Sequence, residues 1–224
     1  MIIPTYEQAK QYEKDYTYIP VCGEILADDV TPILMLRKLA ALDGQYFLLE
    51  SVEGGNLGRY SFLGYHPKLS VSCKNGVVKV KENGMVRILP GKPKEALQSL
   101  LEQYRSPQIE GLPTFTGGLV GYFAYETIQY AEPKLHIKQS DVNDFELMMF
   151  DKLLAFDQVM HKLCIIVNAR TADGEAGYNK AVEEIDAFIE TLRITEPIPY
   201  EKPQKAPEFT CNLSKEEYCS MVEK

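Results

Sequence analysis

The chain has 224 residues, with 24 Lys and Arg against 32 Asp and Glu for a formal charge of -8, five cysteines and no tryptophan. Its 45% hydrophobic content suits an ordinary globular protein, one large domain or two small ones at roughly 100 to 200 residues per domain. The lack of a Lys/Arg block argues against a nucleic-acid partner, no apolar run nears the ~20 residues of a membrane span, and no leader pattern opens the chain, so the expected location is the cytoplasm.

Cys22, Cys73, Cys164, Cys211 and Cys219 are odd in number, far apart and without a CxxC pair. They read as reduced, mostly buried thiols rather than a disulfide framework or zinc site.

Thr5 with Gln8 three residues on is a capping-box pair and predicts a first helix over about 6–14. YIPVCGEILAD is expected to be extended. Thr31-Pro32 supplies an N-cap and a proline at the first helical position, and Ile33, Leu36, Leu39 and Ala40 then recur at helical spacing. YFLLES is an apolar run too short for a helix and reads as a buried strand ahead of a glycine-rich loop.

Asn75-Gly76 is the strongest two-residue hairpin signal in the chain and sets Cys73 opposite Val78, Ser72 opposite Lys79 and Val71 opposite Val80. For the next turn a three-residue Glu82-Asn83-Gly84 loop is expected, because it pairs Val80 with Val86 and Val78 with Ile88, apolar with apolar. Pro93 opens an amphipathic helix carrying Leu97, Leu100, Leu101 and Tyr104. ELMMFDKLLAFD and HKLCIIVNAR read as an antiparallel pair, followed by a helix over about 178–193 with Val182, Ile185, Ile189 and Leu192 on one face.

EPIPYEKPQKAPEF then reads as an exposed linker, after which Ser214 and Glu217 cap a new helix that the chain enters and leaves at once. The expected organisation is an α+β domain of mixed or antiparallel sheets packed with helices over 1–194, a Pro-rich linker over 195–213, and the first residues of a severed further domain over 214–224.

The densest unusual segment is FLLESVEGGNLGRYSFLG. Its glycines could cradle phosphate, but no GK[ST] follows and the next residues look like a strand. Two readings stand. Glu50, Ser51, Arg59, Tyr60 and Ser61 could offer a small zwitterion a carboxylate, donors and an apolar slot; alternatively a buried Glu50–Arg59 ion pair merely staples the hairpin. In PTFTGGLVGYFAYE, Gly117, Gly118 and Gly121 interrupt a strand-like run, which marks a bulge or close backbone approach and fits an interface or packing role. His66, His136 and His161 are isolated, and Asp141, Asp144, Glu146, Asp151 and Asp157 do not converge, so no catalytic or metal constellation is read here.

LLESVEGGNLGRYSFLG, FTGGLVGYFAYE and LMMFDKLLAFD together resemble the N-terminal domain of the anthranilate synthase component I family, over about Tyr6 to the chain end. One departure is Asn56-Leu57, where relatives often carry tryptophan. The resemblance implies a regulatory half of a lyase that converts chorismate and ammonia to anthranilate and pyruvate in tryptophan biosynthesis. It implies Mg2+ and chorismate sites in a C-terminal domain beyond this chain, a glutamine amidotransferase partner (component II), and L-tryptophan as feedback effector. The LLES motif carries the effector role onto Leu49, Glu50 and above all Ser51, with Arg59, Tyr60 and Ser61 as wall residues. It also implies that the 224 residues alone are inactive. Two alternatives remain: component I of aminodeoxychorismate synthase, or a scaffold that docks the amidotransferase through GGLVGYFAYE.

Overall fold

The computed structural model describes residues 1–42, 44–50, 58–132, 134–135, 137, 141–193, 208 and 210–223. The architecture is α+β, as the sequence predicts. A six-stranded antiparallel sheet contains β1 (Ile2–Ile3), β2 (Tyr18–Leu26), β3 (Tyr46–Leu49), β4 (Tyr60–Tyr65), β10 (Lys152–Asp157) and β11 (Lys162–Arg170), in the order β1-β2-β11-β10-β4-β3. A five-stranded sheet contains β5 (Leu69–Lys74), β6 (Val77–Glu82), β7 (Met85–Leu89), β8 (Gly118–Phe123) and β9 (Phe145–Phe150), in the order β7-β6-β5-β9-β8.

Helices α1 (Tyr6–Lys10), α2 (Pro32–Leu42), α3 (Pro93–Glu102), α4 (Gly174–Arg193) and α5 (Lys215–Val222) complete the regular elements, with short 3-10 turns at Tyr125–Tyr130 and Thr171–Asp173.

Three apolar layers hold these parts. Met35 and Leu39 of α2 and Ala181, Ile185 and Phe188 of α4 pack on Val21, Leu63, Leu154, Leu163 and Ile165. The opposite face of that sheet carries Cys22, Leu153, Ala155, Cys164 and Ile166, covered by Leu112 and Phe115 and by Val120 and Met148 of the second sheet. Under the second sheet, Ala96 and Leu100 of α3 meet Val71, Cys73, Val78, Val80 and Leu147. Each inward set follows the two-residue period of its strand.

The chain crosses between sheets twice, and the two crossings are paired: β4 runs on to β5 while β9 runs on to β10, and β4 pairs with β10 as β5 pairs with β9. The result is one long two-stranded ribbon bent at Lys68 and Asp151. ELMMFDKLLAFD is therefore two strands in two sheets, and only its second half pairs with HKLCIIVNAR as expected.

Several local expectations are met. The Thr5–Gln8 capping box is present, Leu34 N donates to Thr31 Oγ1 at 3.2 Å, and Ser214 and Glu217 cap α5 reciprocally. The first hairpin has the anticipated register, with Asn75 and Gly76 at φ 51 and 78. Cys22, Cys73 and Cys164 are buried free thiols, whereas Cys211 and Cys219 are exposed.

Other expectations need correction. The first helix stops at Lys10, and the last long one starts at Gly174 rather than near Tyr178. In α2 the buried positions are Met35 and Leu39; Ile33 is 46% exposed, because the sheet meets the helix one residue further round. YFLL forms an edge strand with exposed ends instead of a buried one. The second turn is a two-residue Asn83-Gly84 loop that pairs Val80 with Arg87 and Glu82 with Met85. With Asn83 at φ 49 and Gly84 at φ 78, the tight turn sets the register. Nothing opposes it, since Val86 and Ile88 are 61% and 65% exposed on this edge strand and Leu89, opposite Val78, is the residue that packs on the core. The proposed linker lies almost wholly outside the described residues.

The glycines of β8 act by close approach. A β-carbon on Gly121 would come within 2.0 Å of Glu146 O and 2.8 Å of Leu147 Cα. Backbone cannot swing aside as a side-chain tip can. Gly121→Ala should therefore destabilise the chain by about 1–3 kcal/mol in urea denaturation, with β8 losing amide-exchange protection first.

Candidate functional site

The residues singled out in sequence gather where β3 ends and β4 begins. Leu49 pairs with Phe62 across the two strands, and Leu49 and Glu50 are exposed. Ser51, with Val52 to Leu57, lies outside the described residues. Arg59 enters β4 at the same end, and its side chain is 40% exposed.

The carboxylate gripped by Arg59 is Asp157 of β10, not Glu50. Arg59 Nη2 reaches Asp157 Oδ2 at 2.6 Å, and Nε lies 3.1 Å from both carboxylate oxygens. The same Asp157 accepts from the amides of Val159 and Met160 at 3.1 and 3.0 Å, closing the β10–β11 turn. Burial alone would raise the Asp157 carboxyl, but the Arg59 guanidinium and the two turn amides outweigh it and hold the group below the ordinary value. Hydrogen bonding to Asp157 in turn raises Arg59.

Alternation along β4 divides the remaining candidates. Tyr60 pairs with Asp157 across the ladder and lies under Arg59, whose guanidinium carbon is 5.0 Å from the ring centroid. Burial, with Asp157 adding to it, pushes the Tyr60 hydroxyl up. Tyr60 and Phe62 sit 5.7 Å apart on one face, and Phe115 meets Phe62 edge-on. Ser61 faces the other way. It is fully buried, pairs with Phe156 on the helix side of the sheet, and accepts from Gln158 Nε2 at 2.9 Å. Leu49, Glu50, Arg59 and Tyr60 are thus brought to one end of the sheet, and Ser61 is turned from them toward the helices.

The arrangement is a patch with Glu50 exposed at the end of β3, the Arg59 guanidinium fixed by Asp157 at one edge, and the Tyr60 and Phe62 rings on one face. Such a patch can orient a small polar molecule with an apolar body. Sequence reasoning missed Asp157 and Gln158. The turn-opening position of Asp157 was visible, but its proximity to Arg59 depends on β10 lying beside β4, some 98 positions away in sequence. Among the described residues no group of three or more His, Cys, Asp or Glu side chains is placed to hold a metal ion.

Comparison with known proteins decides the family. The pattern described as "chorismate binding enzyme" matches residues 45–224. The chain belongs to the chorismate-binding enzyme family. Within that family it is 34% identical to a protein named anthranilate synthase component 1 from Acetivibrio thermocellus, over 99% of this chain and 47% of the relative. It is also 34% identical to the protein of that name from Acinetobacter calcoaceticus, over 97% of this chain and 45% of the relative.

The chain thus spans about half the length of the curated relatives it matches. The crystal structure of anthranilate synthase component I from Streptococcus pneumoniae TIGR4 shares the fold, with TM-score 0.58 and 24% identity over 89% of this chain and 43% of that one. No helix among the described residues is long and apolar enough to cross a membrane.

Asp157→Ala should cost about 1–3 kcal/mol at pH 7, since it leaves a guanidinium and two turn amides without their acceptor. Folding lowers the carboxyl's pKa. Its contribution is therefore complete above the unfolded value of about 3.9 and is lost as the pH falls through the folded value. Urea denaturation should show a gap between variant and unaltered chain at pH 7 that narrows as the pH falls below the unfolded value of about 3.9.

Proposed function

We propose that this chain is the N-terminal regulatory part of an anthranilate synthase component I. The whole protein would convert chorismate, with ammonia from a glutamine amidotransferase partner, to anthranilate and pyruvate, and L-tryptophan would inhibit it by feedback. The observation that carries this reading is the match of nearly the whole chain, at about one-third identity, to half of each relative of that name. The patch at the β3–β4 end supports the regulatory part of the reading, because an amino acid needs a carboxylate, donors and an apolar floor within one molecule's length.

On this reading Glu50 takes the effector's ammonium, Ser51 contributes a hydrogen bond, and Tyr60 gives its side chain a surface. Arg59 is committed to Asp157 and acts chiefly by fixing the strand that carries Tyr60. The remaining walls, the chorismate site and the magnesium ligands would come from the other half of the protein. Tryptophan would act across that boundary by binding one of two states more tightly than the other.

Isothermal titration of residues 1–224 with L-tryptophan should give weak or undetectable binding, and micromolar affinity would show that the pocket is complete without the other half. In the whole protein, Ser51→Ala should relieve tryptophan inhibition while leaving chorismate kinetics largely unchanged. Unaltered inhibition in that variant removes Ser51 from the site. Full activity that no tryptophan concentration inhibits would favour the aminodeoxychorismate branch.

A further inference from the structure

At the bend of the ribbon, far from the β3–β4 patch along β10, a cleft of about 780 Å3 opens beside α4. An apolar chamber of about 100 Å3, lined by Leu101, Met149 and Phe150, adjoins it, and the two share Tyr18, Tyr104, Asp151 and Asn168.

The polar groups at this junction are held in place by one another. Lys68 Nζ donates to Tyr18 Oη at 3.1 Å and Asp151 Oδ2 at 3.3 Å, and lies 5.0 Å from the Tyr18 ring centroid. Tyr18 and Tyr104 stack at 5.4 Å. Asn168 Nδ2 spends both protons, on Thr116 O at 2.6 Å and Asp151 O at 3.1 Å. Counting donors and acceptors among the described residues leaves one proton on Lys68 and two acceptors, Asp151 Oδ1 and Asn168 Oδ1. Ser106 lines the chamber, and its Oγ is sealed behind that wall with no hydrogen-bond partner among the described residues. An unmatched buried hydroxyl is a costly feature to keep without a ligand or water.

Charge at the mouth is balanced. Lys68 faces Asp151, Lys152 faces Glu184 at 2.6 Å, and Arg170 and Lys180 are matched in number by Glu82 and Asp173. Neither a simple anion nor a simple cation is favoured, whereas a molecule carrying both charges is.

We propose that this elbow cavity binds a small aliphatic α-amino acid. Its ammonium meets Asp151 Oδ1 and Asn168 Oδ1, its carboxylate takes the remaining Lys68 proton, and its side chain enters the chamber. A chamber of that size admits roughly four carbon atoms at protein packing density. The site is separate from the patch of the preceding subsection and does not depend on it.

The test uses the 224-residue chain with L-leucine, 4-methylpentanoate and isopentylamine as probes, read by methyl NMR shifts of Met149 and Leu101 and by calorimetry. L-Leucine should bind saturably, and the two single-charge analogues at least about tenfold more weakly. Ser106→Leu, which fills the chamber while leaving the Lys68–Asp151 pair intact, should abolish binding with an unchanged circular dichroism spectrum. Lys68→Met should weaken it at least about tenfold. No saturable shift by about 10 mM L-leucine would overturn the proposal and assign Ser106 to a buried water. Equal binding of all three probes, or binding that survives Ser106→Leu, would overturn it as well.

Discussion

Asn168, within β11, lies against the point where β9 passes into β10, and its bonds hold that bend. Its backbone amide donates to Asp151 O at 2.9 Å, while its side chain donates to the same carbonyl and to Thr116 O. Three hydrogen bonds from one residue therefore tie β11, the β9–β10 turn and the entry to β8. Lys68 closes the other side of the bend with Asp151 and Tyr18. Without these contacts two crossing strands would leave carbonyls buried and unpaired at a point where the ladder cannot satisfy them.

The bend also explains how the chain builds two sheets from one ribbon. Strands β5, β6 and β7 follow one another through tight hairpins, whereas β7 at one edge of the second sheet connects through α3 to β8 at the other edge. Strand β10 then acts as a short rod with a fixed carboxylate near either end. Asp151, just before the strand, serves the junction, and Asp157, its last residue, fixes Arg59 and the β10–β11 turn. Asp144 forms a third separate station, accepting from Tyr130 Oη at 2.6 Å and from Gly76 N at 3.3 Å. These acids share no centre, and each is used to join two segments distant in sequence. Burial raises the Cys73 thiol beside Asp144 to about 11, so this buried cysteine serves packing and not nucleophilic chemistry.

Membership of the chorismate-binding enzyme family gives these features a context. Leu49, Glu50, Arg59 and Tyr60 come together because β3 and β4 are adjacent and antiparallel. The guanidinium is held by Asp157 of a neighbour strand, and Glu50 is exposed at the end of β3. Aromatic groups from β4 and from the segment ahead of β8 form the floor, so the patch draws on parts of the chain that are far apart.

What the sequence determined was local. Capping pairs, the Asn75-Gly76 turn and the alternation of Val71, Cys73, Val78 and Val80 are written in neighbouring residues, and the structure contains them as read. Apolar pairing predicts the wrong register at Asn83-Gly84, because Met85, Val86 and Ile88 are exposed and only Leu89 of that strand packs on the core. Whether a strand has a buried face is a property of the sheet around it. The same limit hid the partner of Arg59: an ion pair between β4 and β10 exists only once tertiary folding has set those strands side by side. Ser61 belonged to the predicted cluster by sequence proximity, yet strand geometry places alternate residues on opposite faces, and packing against the helices decided which face it took.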